Sequence, residues 1–236
     1  GVTSTTSINV GDYFRVHPAF MNDSSNNYEN GGWNEELPGI WVGKYESARS
    51  DSEGATQGTS TTIKIQPGVT SWRSTKIGDM YNYAKAYSTN LNSHMLKNSE
   101  WGAVAYLTES KYGRNGTEVT INNSSDYITG SAKTSSGTTN DYKSTEGVLA
   151  SSTGNVYGIY DLSGGATEYV ASYYSGSTSS NLKNNGSQLV NETEKKYVTA
   201  YTGTNESTDY KPGDATYETK GWHDDSANFV NSYNPF

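Results

Sequence analysis

Residues 154–170 read GNVYGIYDLSGGATEYV and carry dense apolar and aromatic content in an otherwise polar chain. Only 32% of the 236 residues are hydrophobic, yet the chain contains 20 tyrosines and 5 tryptophans. Disordered chains are poor in aromatic residues, whereas Tyr and Trp bury large areas while keeping a polar tip. We therefore expect a folded, loop-rich domain whose core is small for its length.

Two helices are predicted upstream of this stretch. The first has apolar residues at i, i+3, i+4 and i+7 beginning at Ile77. The second begins with Ser99 as its N-cap, has Glu100 in its first turn, and ends near Gly113. Helices among short strands and long loops indicate an α+β domain with an antiparallel sheet. The strands are predicted at residues 8–17, 37–46, 63–65, 117–121 and 197–201.

Three segments resemble the C-type-lectin-like fold as it occurs in the formylglycine-generating (sulfatase-modifying) enzyme family. Residues 40–47 (IWVGKYES) are similar to an early family strand that ends in a Tyr-Glu-Val-Thr type pattern. Residues 96–105 (LKNSEWGAVA) are similar to the family helix Leu-Pro-Thr-Glu-Ala-Glu-Trp-Glu-Tyr-Ala. Residues 154–170 are similar to the family pattern Asn-x-Tyr-Gly-Leu-Tyr-Asp-Met-x-Gly-Asn-Val-Trp-Glu-Trp. The three segments occur in the family's order.

This resemblance implies a single C-type-lectin-like domain over residues 8–236, after a flexible leader at residues 1–7. It implies a twisted antiparallel sheet or sheets with two flanking helices and long loops. Family members usually end with an Arg-Gly-Gly strand and a Ser-Phe-Arg strand that close the sheet. The chain ends at Phe236, about where the first of these would begin, so we expect the closing strands to be missing or diverged.

The chain departs from the family at its copper site. The family's oxidase activates oxygen at copper held by a pair of cysteine thiolates, and this chain contains no cysteine. Soft thiolates bind Cu(I), and no other side chain replaces such a pair. The sequence also lacks a Gly-x-Ser-x-Gly elbow and a phosphate-binding glycine loop. We therefore expect a variant of this fold without enzymatic activity.

A second departure concerns calcium. Family members bind calcium near the last motif through an Asn side chain, backbone carbonyls and a Glu. Here Gly165 stands at the Asn position and only Glu168 remains. Because the loss of a hard oxygen ligand weakens calcium binding, Glu168 is expected to be either a buried, hydrogen-bonded structural carboxylate or the remnant of a degenerate calcium site.

A narrower resemblance bears on location. Residues 17–20 (HPAF), 37–41 (LPGIW) and 110–113 (SKYG) resemble a version of this domain common in gut Firmicutes and their phages. Those relatives look like surface or virion display modules. The resemblance thus implies an extracellular position on a bacterial cell surface or a virion.

Charge and loop composition indicate the class of partner. A net charge of −8 without runs of Lys or Arg makes nucleic acid and anionic membranes poor partners. Tyr, Ser, Gly and Asn dominate the loops, as in antibody binding loops, where Tyr gives contact area at low entropy cost. We expect a recognition or adhesion module for a carbohydrate or a protein. The candidate ligand contacts are Trp222, His223, Asp224, Asp225, Tyr173 and Tyr174.

Two alternatives stay open at this point. The same fold could serve as a structural subunit of a pilus, filament or virion, with contacts between copies of the chain. The chain could also be a degenerate enzyme with a new site near His223. The three histidines, His17, His94 and His223, are far apart in sequence and predict no metal site.

Overall fold

The computed structural model describes residues 16–26, 28–51, 62–133, 137–203, 213–215 and 218. Within these ranges the chain mixes helices with short strands, as expected for an α+β protein. The helices are α1 (Ile77–Tyr87), α2 (Asn98–Glu109), α3 (Ser180–Asn185) and α4 (Ser187–Val190). The strands are β1 (Ser47–Arg49), β2 (Ile63–Ile65), β3 (Ala132–Lys133), β4 (Thr139–Asn140), β5 (Ser172–Tyr174) and β6 (Thr199–Tyr201). Short 3-10 helices lie at Pro18–Phe20, Ser24–Asn26, Thr89–Leu91, Gly147–Ala150 and Lys195–Tyr197.

Both predicted helices are present, but the second has different ends. Helix α2 has Lys97 as its N-cap, and the backbone N–H of Lys97 donates to Glu100 Oε2 at 2.8 Å. Ser99 is therefore not the cap. It lies inside the first turn, and its hydroxyl donates to the Gly31 carbonyl at 2.7 Å. The helix ends at Glu109, before it reaches Gly113, because its C-cap residue Ser110 has an extended backbone.

The strands pair into three two-stranded sheets within the described ranges. The β1–β2 and β3–β4 pairs are antiparallel, whereas β5–β6 is parallel, with Ser172 opposite Thr199. A wholly antiparallel arrangement was therefore a wrong expectation. Parallel pairing needs a long crossover, and here α3 and α4 supply it.

Two predicted strands are irregular. Residues 37–46 and 117–121 form no ladder, because their backbone groups bond singly to separate loops. The Leu37 N–H donates to the Phe20 carbonyl at 2.8 Å, for example. Strand β2 and strand β6 confirm the predictions at residues 63–65 and, in part, at 197–201. The strand predicted at residues 8–17 and the leader at 1–7 lie almost wholly outside the described residues.

The buried side chains form three clusters rich in aromatic residues. One cluster gathers Trp33, Tyr81 and Leu189, a second is built around Trp101, and in the third Tyr45 packs against buried tyrosine and alanine side chains. Tyrosine and tryptophan thus do much of the packing that phenylalanine and leucine do elsewhere. Among the described residues no helix is long and apolar enough to cross a bilayer.

The three segments that carry the family resemblance meet in space. The Tyr160 N–H donates to the Lys44 carbonyl at 2.9 Å, which joins the first segment to the third. The indole Nε1 of Trp101 donates to Glu168 Oε2 at 2.8 Å, which joins the second segment to the third. Residues from all three segments line the cleft described next.

Candidate functional site

A cleft of about 840 Å³ lies between residues 33–47, helix α1 and residues 159–169. We call it the aromatic cleft. Its volume falls in the range of about 300–1,000 Å³ that is usual for ligand pockets. Its apolar lining comprises Trp33, Leu37, Ile40, Trp41, Trp72, Met80, Tyr83, Tyr87, Leu91 and Tyr169, among others.

Trp41 stands on the rim of the aromatic cleft with its side chain in solvent. It is 103% exposed, and Leu91 and Tyr87 on the same lining are 79% and 53% exposed. Trp41 is exposed because residues 37–46 form no strand that would place it against a sheet. Exposed apolar groups that gather at one place mark interaction sites, and Trp is enriched among residues that dominate binding energy.

A stacked aromatic pair forms another part of the lining. The rings of Trp72 and Tyr83 lie 4.9 Å apart with only 7° between their planes. Helix α1 positions Tyr83, and the Trp72 N–H donates to the Ser47 carbonyl at 2.9 Å. The pair therefore presents a flat aromatic surface whose position is fixed by backbone hydrogen bonds.

Carboxylates stand beside these rings. Glu46 and Glu168 both line the cleft. Ser71 Oγ and the Ala166 N–H (2.9 Å) donate to Glu46, but burial, together with the charges of Asp161 and Glu168, raises the pKa of Glu46 well above its ordinary value. Glu168 is exposed to the solvent of the cleft. The protein atoms crowded around it, and then the charge of Asp161, raise its pKa to about 7 against the hydrogen bond from Trp101.

Asp161 has a structural role behind these two carboxylates. It is 2% exposed and has a φ of +65°, an unusual backbone angle for a residue other than glycine. Its carboxylate accepts from Asn122 Nδ2 at 2.8 Å, the Gly130 N–H at 2.8 Å and the Glu46 N–H at 3.2 Å. These donors tie three loops to one buried charge, whose pKa burial raises.

The residues around Glu168 do not fit a calcium ion. Gly165 has a φ of +72°, and a Cβ at this position would lie 2.5 Å from Glu46 Oε1. The Glu46 carboxylate thus fills the space that an Asn side chain would need. Within the described residues no group of three or more His, Cys, Asp or Glu could hold a metal ion. The hydrogen bond expected at Glu168 is present, and protein atoms surround its carboxylate, although the residue as a whole is exposed.

A second charged network forms another wall of the aromatic cleft. His94 Nδ1 lies 2.7 Å from the Asn92 carbonyl oxygen, and His94 Nε2 lies 3.0 Å from both carboxylate oxygens of Glu100. Both partners can only accept, so this geometry suits the doubly protonated, positively charged imidazole. Burial opposes this charge, but the Glu100 carboxylate outweighs it and raises the pKa of His94.

Glu100 is fully buried and gathers donors from several elements. Trp33 Nε1 donates to it at 3.2 Å, and the Lys97 N–H donates at 2.8 Å. Burial alone would raise its pKa, yet His94 and Lys97 lower it. The Lys97 ammonium is itself buried and donates to the Gly32 carbonyl at 2.6 Å, and burial lowers its pKa to about 8. The network is thus charged and closely paired.

Two of the ligand contacts predicted from sequence, Tyr173 and Tyr174, lie outside the aromatic cleft. Tyr173 packs against the core cluster of Trp33, and the Tyr174 ring lies 5.6 Å from that of Tyr201, so strand β5 places both outside the cleft lining. Trp222, His223, Asp224 and Asp225 lie outside the described residues.

Sequence reasoning missed Trp41, the Trp72–Tyr83 pair and the His94–Glu100 pair as site residues. For the first of these the misleading signal was the strand prediction over residues 37–46. His94 precedes Glu100 by six residues, a spacing that gives no regular contact on a helix or a strand.

No known protein-family model matches this chain, and no curated protein is significantly similar to it.

Proposed function

We propose that the chain is a C-type-lectin-like recognition module that binds a carbohydrate or protein ligand in the aromatic cleft, outside a bacterial cell or on a virion. The observation that carries this proposal is Trp41, which is 103% exposed on the rim of a cleft of about 840 Å³. Folding gains nothing from an indole in that position, whereas a ligand that covers it gains a large apolar contact.

The proposed fold is supported by the meeting of the three family-like segments around Glu168. Trp101 lies in the helix segment and Glu168 in the last motif, so their hydrogen bond joins two parts of the resemblance. The extracellular location rests on the resemblance to surface and virion display modules. The proposed lack of catalysis rests on the absence of cysteine, since the family's copper chemistry needs thiolates.

The chemistry of the cleft suits a polar ligand with a flat apolar face. The stacked rings of Trp72 and Tyr83 offer an aromatic surface, and the carboxylates of Glu46 and Glu168 accept hydrogen bonds from hydroxyl or amide groups beside it. A sugar ring and a peptide both combine these features. Nucleic acid is a poor ligand, because the chain has a net charge of −8 and no run of Lys or Arg.

The test compares two exposed aromatic residues. Trp41→Ala removes the rim indole, and Tyr157→Ala is the matched control, because Tyr157 is 87% exposed but does not line the cleft. Binding is measured on a glycan array and by capture of bacterial surface proteins, followed by titration of each hit. We expect Trp41→Ala to weaken binding about 30-fold, as for a residue that dominates an interface, with Tyr157→Ala unchanged.

Because both side chains are exposed, neither change should lower the melting temperature, so a loss of binding reports the site. Equal binding by wild type and Trp41→Ala would contradict the proposal. Regular polymers of the chain in electron micrographs, without any captured ligand, would instead support a structural subunit.

A further inference from the structure

A second cavity of about 360 Å³ shares no lining residue with the aromatic cleft. Residues 124–129 form one side, and Ser131 with residues 139–142 forms the other. We call it the hydroxyl cavity, because five of its lining residues carry aliphatic hydroxyl groups: Ser124, Ser125, Thr129, Ser131 and Thr139. It therefore differs in chemistry from the apolar cleft.

The framework of the hydroxyl cavity is fixed by its own hydrogen bonds. Thr129 Oγ1 donates to the Gln66 carbonyl at 2.7 Å and accepts from the Val69 N–H at 3.2 Å. Ser124 Oγ accepts from the Ile128 N–H at 3.1 Å. These bonds hold the loop in place before any ligand arrives, so a ligand needs to order little of the protein.

Other polar groups of the cavity are available for a ligand. Ser131 is only 6% exposed, and its hydroxyl has no hydrogen-bond partner among the described residues. Thr139 is exposed on the opposite side, at strand β4, and makes no side-chain hydrogen bond within the described part of the chain.

The charges of the cavity select the ligand class. Asp126 and Asp141 supply carboxylates, and Lys143 N–H donates to Asp141 Oδ1 at 3.0 Å, which leaves the other oxygen of that carboxylate for a ligand. The described residues that line the cavity include no Lys and no Arg. Anionic ligands are therefore repelled, whereas neutral hydroxyl groups can donate to the carboxylates.

We propose that the hydroxyl cavity is a second binding site and that it takes a neutral saccharide residue. Adjacent sugar hydroxyls donate to Asp126 and Asp141 and exchange hydrogen bonds with Ser131 and Thr139. The ring edge lies against Tyr142, whose own ring is packed edge-on against Tyr45 at 5.7 Å and so is held in position. The proposal does not depend on the aromatic cleft, because the two linings are separate.

The experiment uses the full chain and methyl glycosides of glucose, galactose, mannose and N-acetylglucosamine, with the methyl glycoside of glucuronic acid as the anionic match to glucose. Saturation-transfer NMR detects contact, and titration gives the affinity. The variants are Ser131→Ala and Thr139→Val, with Tyr157→Ala, which lines neither cavity, as the control, and Trp41→Ala to identify binding in the aromatic cleft. We expect each loss of a hydroxyl to weaken binding about 5-fold. The glucuronide should bind more weakly than the glucoside, and Tyr157→Ala should bind as wild type does.

Several outcomes would overturn this proposal. They are no contact with any neutral glycoside, equal affinity for the glucuronide, or wild-type affinity in Thr139→Val, whose exposed site makes misfolding a poor explanation. Loss of binding after chelation of divalent ions would show a metal site instead. Binding that Trp41→Ala abolishes, with both hydroxyl variants unaffected, would assign the sugar to the aromatic cleft and so separate the two proposals.

Discussion

Replacing Glu100 by Gln tests the charged network in the wall of the aromatic cleft. The carboxylate accepts from Trp33 Nε1, His94 Nε2 and the Lys97 N–H at 3.2, 3.0 and 2.8 Å. Gln keeps the shape and one acceptor but removes the negative charge, and its amide group turns a donor toward other donors. The charges of His94 and Lys97 are then left without their partner.

The magnitude follows from burial. Glu100 is 0% exposed, and the His94 side chain is 13% exposed, so water cannot replace the lost partner. Removing one member of a buried ion pair costs about 3–5 kcal/mol. Release of the proton from His94 relieves part of this cost. The donor that faces the new amide NH₂ group adds about 1–3 kcal/mol to it. We therefore expect Glu100→Gln to lower the free energy of unfolding by about 3–5 kcal/mol at mildly acidic pH.

The pH dependence has a definite sign. Because the pKa of His94 is raised above its ordinary 6.5, its contribution is complete below that pH and is lost as the pH rises through the folded value. Because the pKa of Glu100 is lowered below its ordinary 4.5, its contribution is present above that pH and is lost as the pH falls. The pair thus stabilises most between 4.5 and 6.5. In the variant, burial alone lowers the pKa of His94, so the difference from wild type shrinks as the pH rises.

Urea unfolding followed by circular dichroism at about pH 5.5 and about pH 8.5 measures both effects, with the m-value as a check on two-state behaviour. Glu146→Gln is the control, because Glu146 is exposed and such a change stays within about 0.5 kcal/mol. A loss below about 1 kcal/mol at the lower pH, or the same loss at both pH values, would refute the reasoning.

Two further predictions concern the cleft carboxylates. Gly165→Ala and its control Gly116→Ala change glycines with similar φ angles, +72° and +76°. Only at Gly165 would the new Cβ meet Glu46. Thermal unfolding should therefore show that Gly165→Ala loses about 1–3 kcal/mol more stability than Gly116→Ala. Equal losses would show that backbone angle alone decides. Glu168 binds a proton more tightly in the folded chain, with its pKa raised from 4.5 to about 7, so wild-type stability should fall as the pH rises across that range. Glu168→Gln should lack this fall, and a melting-temperature difference that is independent of pH would contradict the assignment.

Local sequence predicted the two longer helices and failed at the long-range pairings. Helix α1 was predictable because its apolar residues repeat at helical spacing from Ile77. Helices α3 and α4 were not, because they show little helical periodicity and α4 is held by Leu189 in the core formed with Tyr81. The parallel partner of β5 was equally out of reach, since strand register depends on contacts between residues distant in sequence.

The site was less predictable than the fold, for a related reason. The composition of residues 37–46 fits both a strand and an exposed loop. Contacts with the surrounding loops determine that Trp41 faces solvent. His94 precedes helix α2 and contacts the carboxylate of Glu100 in the first turn of that helix. No helix or strand periodicity predicts this contact. Residue types predict an aromatic-rich surface here, but the pairing of charges with aromatic rings depends on contacts between residues distant in sequence.

Consecutive residues of α2 connect two walls of the aromatic cleft. Glu100 receives the indole N–H of Trp33, while Trp101 donates its own indole N–H to Glu168 at 2.8 Å. Neighbouring residues on a helix point about 100° apart, so the first turn of α2 holds both walls at once. A change at Glu100 should therefore release the Trp33 wall while Trp101 and Glu168 stay joined, and ligand affinity should fall even where the variant remains folded. Binding that is unaffected in folded Glu100→Gln would show that the Trp33 wall does not contact the ligand.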